Sequence, residues 1–115
     1  MSADVSVSLR ALVLRDVAEH AARHGRLCAA RLLRRAARSS SAPEVAEDIA
    51  VVREELGGSS APGSSSHARA LARLIGGDDR GAVGHLAYYA GLTPAEWVEE
   101  TCREQGVPPA MRPPL

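Results

Sequence analysis

The sequence lacks lysine, asparagine and phenylalanine, and its only aromatic residues are Tyr88, Tyr89 and Trp97. All 14 basic residues are arginines, and 14 aspartates and glutamates balance them to a formal net charge of zero. A chain without net charge creates no overall field toward nucleic acid or a membrane surface. Because arginine replaces lysine throughout, its abundance alone does not indicate a phosphate-binding protein.

The chain also lacks long apolar runs and has few cysteines. Its longest strongly apolar stretch is residues 11–14, whereas a bilayer span needs about 20 residues. The opening segment MSADVSV has no basic region followed by an apolar one, the pattern of a secretory signal. Cys28 and Cys102 are too few for a disulfide framework. We therefore expect no membrane association and a reduced, cytoplasmic location.

Common enzyme motifs are missing as well. The sequence has no P-loop, no GxGxxG and no CxxC, and neither GSS segment, at 58–60 or 63–65, ends in the second glycine of a GxSxG elbow. These absences predict a protein that is not an enzyme and needs no cofactor.

Apolar residues recur at helical spacing and predict an all-α protein, a small bundle of five or six helices. Ser41 and Thr93 each begin a capping box, with a proline and a glutamate in the next three residues. A mid-helix glycine costs only about 1 kcal/mol, so Gly25 either ends the first helix or lies inside a longer one. The expected helices cover residues 8–24, 26–38, 41–56, 66–75, 79–90 and 93–105.

One domain of residues 1–115 is expected, with two helical halves. The segment 57–66, GGSSAPGSSS, is predicted to be a flexible linker between them. The tail, 107–115, holds four prolines and is predicted to be extended.

The predicted core is thin, because leucine, isoleucine and valine together number only 24 of 115 residues. Residues 12–14 span about 200° of the first helix, which is more than one neighbouring helix can cover. Val51 points away from the apolar stripe of its own helix. We therefore interpret Leu12, Leu14 and Val51 as the surface of a homodimer.

The aromatic residues form a second candidate partner site, because tyrosine and tryptophan are frequent interface anchors. Tyr88, Tyr89 and Trp97 lie within ten residues of one another. In the alternative interpretation, Trp97 and one tyrosine hold the last two helices together. The leading hypothesis is a small interaction or regulatory protein that binds another protein and also pairs with itself.

An arginine cluster supports an alternative function, that of a nucleic-acid-binding regulator. Residues 1–38 hold eight arginines against three acids, and several arginines on one helix can bind phosphates. We favour instead a pairing of this helix with the acidic one that follows, and do not expect nucleic acid as the partner. The candidate residues are Arg26, Arg31, Arg34, Arg35 and Arg38.

A ladder of possible metal ligands supports the other alternative, a metal-binding protein or an enzyme. Asp16, His20, His24 and Cys28 follow one another at intervals of four residues, and a histidine pair at that spacing can chelate a divalent ion. Three such steps drift around a helix, so a single ion cannot meet all four groups. We therefore expect His20 and His24 to border the apolar stripe and no metal to bind.

Overall fold

Six α-helices make up the parts of the chain that the structure, a computed structural model, describes: residues 7–39 and 43–115. No strand occurs there, so the predicted all-α bundle is confirmed; the Ser41 capping box lies outside the described residues. None of these helices is long and apolar enough to cross a bilayer. The helices are α1 (Leu9–Arg23), α2 (Leu27–Arg38), α3 (Pro43–Gly57), α4 (Ser64–Ile75), α5 (Asp79–Ala90) and α6 (Pro94–Glu104), followed by a 3-10 turn at Pro109–Met111.

Gly25 separates the first two helices. The hydroxyl of Ser8 caps the start of α1 by accepting from the Ala11 amide at 3.0 Å, and the helix ends at Arg23. Gly25 has a φ of +79°, a conformation that glycine adopts without strain. The chain therefore reverses at this residue and α2 begins at Leu27 as a separate helix.

The first helix is the centre of the bundle. It packs against α2, α4, α5 and α6, and Leu12, Val13 and Leu14 are each 0% exposed. The interpretation of Leu12 and Leu14 as a dimer surface is therefore wrong, because four helices of the same chain cover the arc that one helix could not. Val51, on α3, is 54% exposed and does point away from the core.

The predicted linker is shorter and more structured than expected. The connection between α3 and α4 covers only 58–63, and the boundaries 57–66 are wrong because Gly57 belongs to α3 and Ser64 begins α4. Ser64 is 1% exposed and Ser66 is 8% exposed. The two predicted halves are interlocked, since α1 contacts all three helices that follow this connection.

The tail is not simply extended. Val107 is buried, and the amide of Val7 donates to the Met111 carbonyl at 2.9 Å. The 3-10 turn at Pro109–Met111 therefore lies against the segment that leads into α1.

We expect Leu14→Ala to lower the free energy of unfolding by about 2–5 kcal/mol, because it opens a cavity at a fully buried position. Val51→Ala, at an exposed position, should change it by less than about 0.5 kcal/mol. Urea unfolding and sedimentation of both variants check this expectation. A Leu14→Ala protein of unchanged stability but altered mass would restore Leu14 to an interface.

Candidate functional site

Two histidines from different helices stack inside the protein where α1 meets α4. The His20 and His67 rings have centroids 4.0 Å apart and planes inclined by 12°. Both residues are buried, at 8% and 7% exposure. His24, at the carboxyl end of α1, lies 4.6 Å from the His20 ring at a tilt of 52°.

One hydrogen bond determines which nitrogen of His67 carries a proton. Its Nδ1 lies 2.7 Å from the Gly63 carbonyl oxygen, which can only accept, so Nδ1 is the protonated nitrogen. The Nε2 atom of the neutral ring is then an acceptor. It lies 3.7 Å from Oδ2 of Asp16 and forms no hydrogen bond with any residue of 7–39 or 43–115. A second proton on the ring would make this an ion pair.

The other histidine satisfies a buried hydroxyl. His20 Nε2 lies 3.2 Å from Ser64 Oγ. Burial above all, together with charge on His67, His24 and Arg23, lowers the pKa of His20 from 6.5 to about 4, against the opposing effect of Asp16. The ring is therefore neutral at pH 7. A serine beside an imidazole can act as a nucleophile, but Ser64 is 1% exposed and a substrate carbonyl cannot reach it.

Sequence reasoning missed His67. A signal was present, because His67, Leu71 and Leu74 are spaced by four and three residues and so share one face of α4. This signal was overlooked because residues 57–66 were assigned to a linker. That assignment put His67 at the start of the helix, whereas it lies one turn inside α4.

The predicted ligand ladder is not formed. The turn at Gly25 places Cys28 on α2, where it is exposed, while Asp16 and His20 lie on α1. Stacked rings have parallel lone pairs that do not meet at one point, so His20 and His67 cannot share an ion. Within the described segments, no three histidine, cysteine or carboxylate side chains are placed to hold a metal.

A cavity of about 200 Å³ opens beside His67, at the junction of four helices. We call it the His67 cavity. Its wall combines carboxylates, aromatic rings and one imidazole, contributed by Asp16, His67, Tyr89, Trp97, Glu100 and Glu104.

The three aromatic residues divide between core and surface. Trp97 is 4% exposed, whereas Tyr88 is 85% and Tyr89 is 53% exposed. Neither tyrosine is therefore buried with Trp97, and the alternative in which Trp97 and one tyrosine hold the last two helices together stays a prediction. Both tyrosines lie in the last turn of α5, and Tyr89 presents its ring to His67 edge-on, with centroids 6.1 Å apart.

The arginine cluster lies along α2 and is partly neutralised. Arg35 pairs with Asp48 of the acidic helix α3 at 2.9 Å, so one ion pair of the predicted kind does occur. Arg34 approaches Glu19 of α1 at 3.6 Å instead. Arg31 and Arg38 are exposed, and Arg26 is half-buried before the first turn of α2. Arg34 and Arg38 also line a cavity of about 340 Å³ together with Arg15 and Glu19.

Comparison of the chain with protein-family models, with curated proteins and with solved structures finds no match. Function is therefore inferred from these residues and their geometry alone.

The depressed pKa of His20 predicts acid sensitivity. As the pH falls, the His20 ring takes up a proton in the unfolded chain near pH 6.5 but in the folded protein only near pH 4. The free energy of unfolding is therefore highest above pH 6.5 and falls as the pH drops toward 4. The loss attributable to His20 should total about 3 kcal/mol. We expect His20→Gln to flatten the dependence of unfolding free energy on pH in this window. His24→Gln, which removes only one of the smaller causes of the shift, should flatten it far less. Parallel profiles for wild type and His20→Gln would contradict this expectation.

Proposed function

We propose that this chain is a non-enzymatic interaction protein that binds a partner protein through its tyrosine surface, formed by Tyr88, Tyr89, Glu100 and Glu104. The observation that carries the proposal is the exposure of Tyr88 and Tyr89, at 85% and 53%. A chain with only three aromatic residues and a core of leucine, valine and alanine thus keeps two large rings in contact with water.

Burial of these two tyrosine rings in an interface would stabilise a complex. A tyrosine ring contributes a large apolar area at a small cost in side-chain entropy, and its hydroxyl remains able to form a hydrogen bond. Such residues dominate the binding energy of many interfaces. The acidic side chains that lie with Tyr89 around one cavity, Glu100 and Glu104, favour a partner with basic residues, through charge complementarity and faster encounter.

Self-association and cytoplasmic location remain part of the proposal. With Leu12 and Leu14 buried, a homodimer would have to use exposed residues such as Val51 or the tyrosines themselves. Both cysteines are free thiols, and the exposure of Cys28 suits a reducing compartment.

Nucleic-acid binding is the second candidate function. The observation that favours it is the convergence of Arg15, Arg34 and Arg38 on one cavity. The ion pairs of Arg34 and Arg35 weaken this candidate, because they reduce the positive charge available for phosphates.

Capture from an extract of the native cells, with wild-type and variant proteins immobilised in parallel, tests the leading proposal. We expect Tyr88→Ala to lose a protein that wild type and Leu27→Ala retain, and to weaken binding of that purified partner at least about tenfold. Leu27 is the matched control, since it is 63% exposed on a different helix. Tyr88→Ala should keep wild-type stability, because Tyr88 is 85% exposed. Binding that survives Tyr88→Ala, but falls steeply with salt and in Arg34→Ala, would favour nucleic acid instead.

A further inference from the structure

The His67 cavity has the size of a single side chain. At about 200 Å³ it is smaller than the roughly 300–1,000 Å³ of pockets that enclose whole small molecules. It lies beside the tyrosine surface, since Tyr89, Glu100 and Glu104 belong to both. A partner docked on Tyr89 would therefore lie over its mouth.

The negative charge of the cavity wall favours binding of a cation. Asp16, Glu100 and Glu104 supply three carboxylates, and the described side chains that line the cavity include no arginine. The last residue of α5, Ala90, also lines it, and the carboxyl end of a helix carries partial negative charge. Glu100 already has an exposed partner in Arg103 at 3.1 Å, so Asp16 and Glu104 are the main source of this charge.

His67 provides a second, independent indication that the group bound in the cavity is a hydrogen-bond donor. Its side chain is 9% exposed, and in the neutral ring its Nε2 acceptor lies 3.7 Å from another acceptor, Oδ2 of Asp16. This contact is stabilised either by a second proton on the ring or, in the neutral ring, by a ligand group that donates to both atoms.

A guanidinium meets these requirements better than an ammonium. Its planar fork of N–H donors can reach two acceptors at once and can stack on aromatic rings. The rings of Tyr89 and Trp97 line the same cavity. A lysine ammonium would satisfy the charge but has no flat face to place against a ring.

We propose that the His67 cavity binds the guanidinium of an arginine side chain presented by the partner protein, with Asp16 Oδ2 and His67 Nε2 accepting from it. This inference rests on the proposed partner binding and names the chemistry that the partner brings. The arginine enters beside Tyr89 and places its charge between Asp16 and Glu104, while the surrounding segment of the partner packs on Tyr88.

Trp97 is the only tryptophan, so its fluorescence reports on the cavity directly. Three blocked peptides serve as probes: Gly-Arg-Gly, Gly-Lys-Gly and Gly-citrulline-Gly, in which citrulline keeps the shape of arginine without its charge. We expect a saturable response to the arginine peptide, a weaker one to lysine and none to citrulline. Equal responses to arginine and citrulline, or no saturable response to arginine, would overturn the proposal.

Variants then locate the binding. Asp16→Asn should weaken the arginine peptide by about tenfold, and Glu104→Gln should weaken it severalfold. Glu104 is exposed, so Glu104→Gln keeps the test valid if Asp16→Asn does not fold. Glu99→Gln, on the same helix but outside the cavity, should bind as wild type does. Equal affinity of all three variants and wild type would contradict the site.

The two proposals fail separately. If Tyr88→Ala loses the captured partner but the arginine peptide does not bind, the cavity proposal is overturned and partner binding stands. If the captured species is a second copy of this chain, held through an arginine of its own, the separate partner of the leading proposal is overturned, while self-association and the cavity proposal stand.

Discussion

The central position of α1 in the bundle is the constraint on which the rest of the structure depends. Four helices surround it, and its first half is filled by fully buried apolar residues such as Leu12 and Leu14. Its second half carries Asp16 and His20, polar groups that must find partners once α4 closes over them. The hydroxyl of Ser64 meets His20, and His67 stacks on the same ring. Packing of the core thus creates the polar cluster.

The same packing leaves one site incompletely satisfied. His67 is fixed by Gly63 on one side and directs its other nitrogen toward Asp16, at the wall of a small cavity. The charged and aromatic residues of the wall lie on helices, so these groups are held in place before any ligand arrives. Beside it, Tyr88 and Tyr89 supply the apolar contact area that the thin core does not use.

The sequence predicted the helices well because apolar period and caps are local signals. The Thr93 capping box forms as expected, with Thr93 and Glu96 exchanging hydrogen bonds. The prediction of which side chains are buried was less accurate, because the burial of a side chain depends on how many helices pack around it. Leu14 was placed on a surface for that reason. His67 was missed because its partners, Asp16 and His20, lie about 50 residues earlier in the chain and only the packing of α4 against α1 brings them together.

The acceptor pair of His67 and Asp16 is the central claim of this account, and the tautomer of His67 tests it most directly. Nitrogen-15 correlation spectra of the histidine rings at about pH 9, where neutral rings dominate, report which nitrogen carries the proton. We predict that His67 is protonated at Nδ1, which donates to Gly63, and bare at Nε2. A ring protonated at Nε2 instead would turn a donor toward Asp16, remove the acceptor pair and contradict the account.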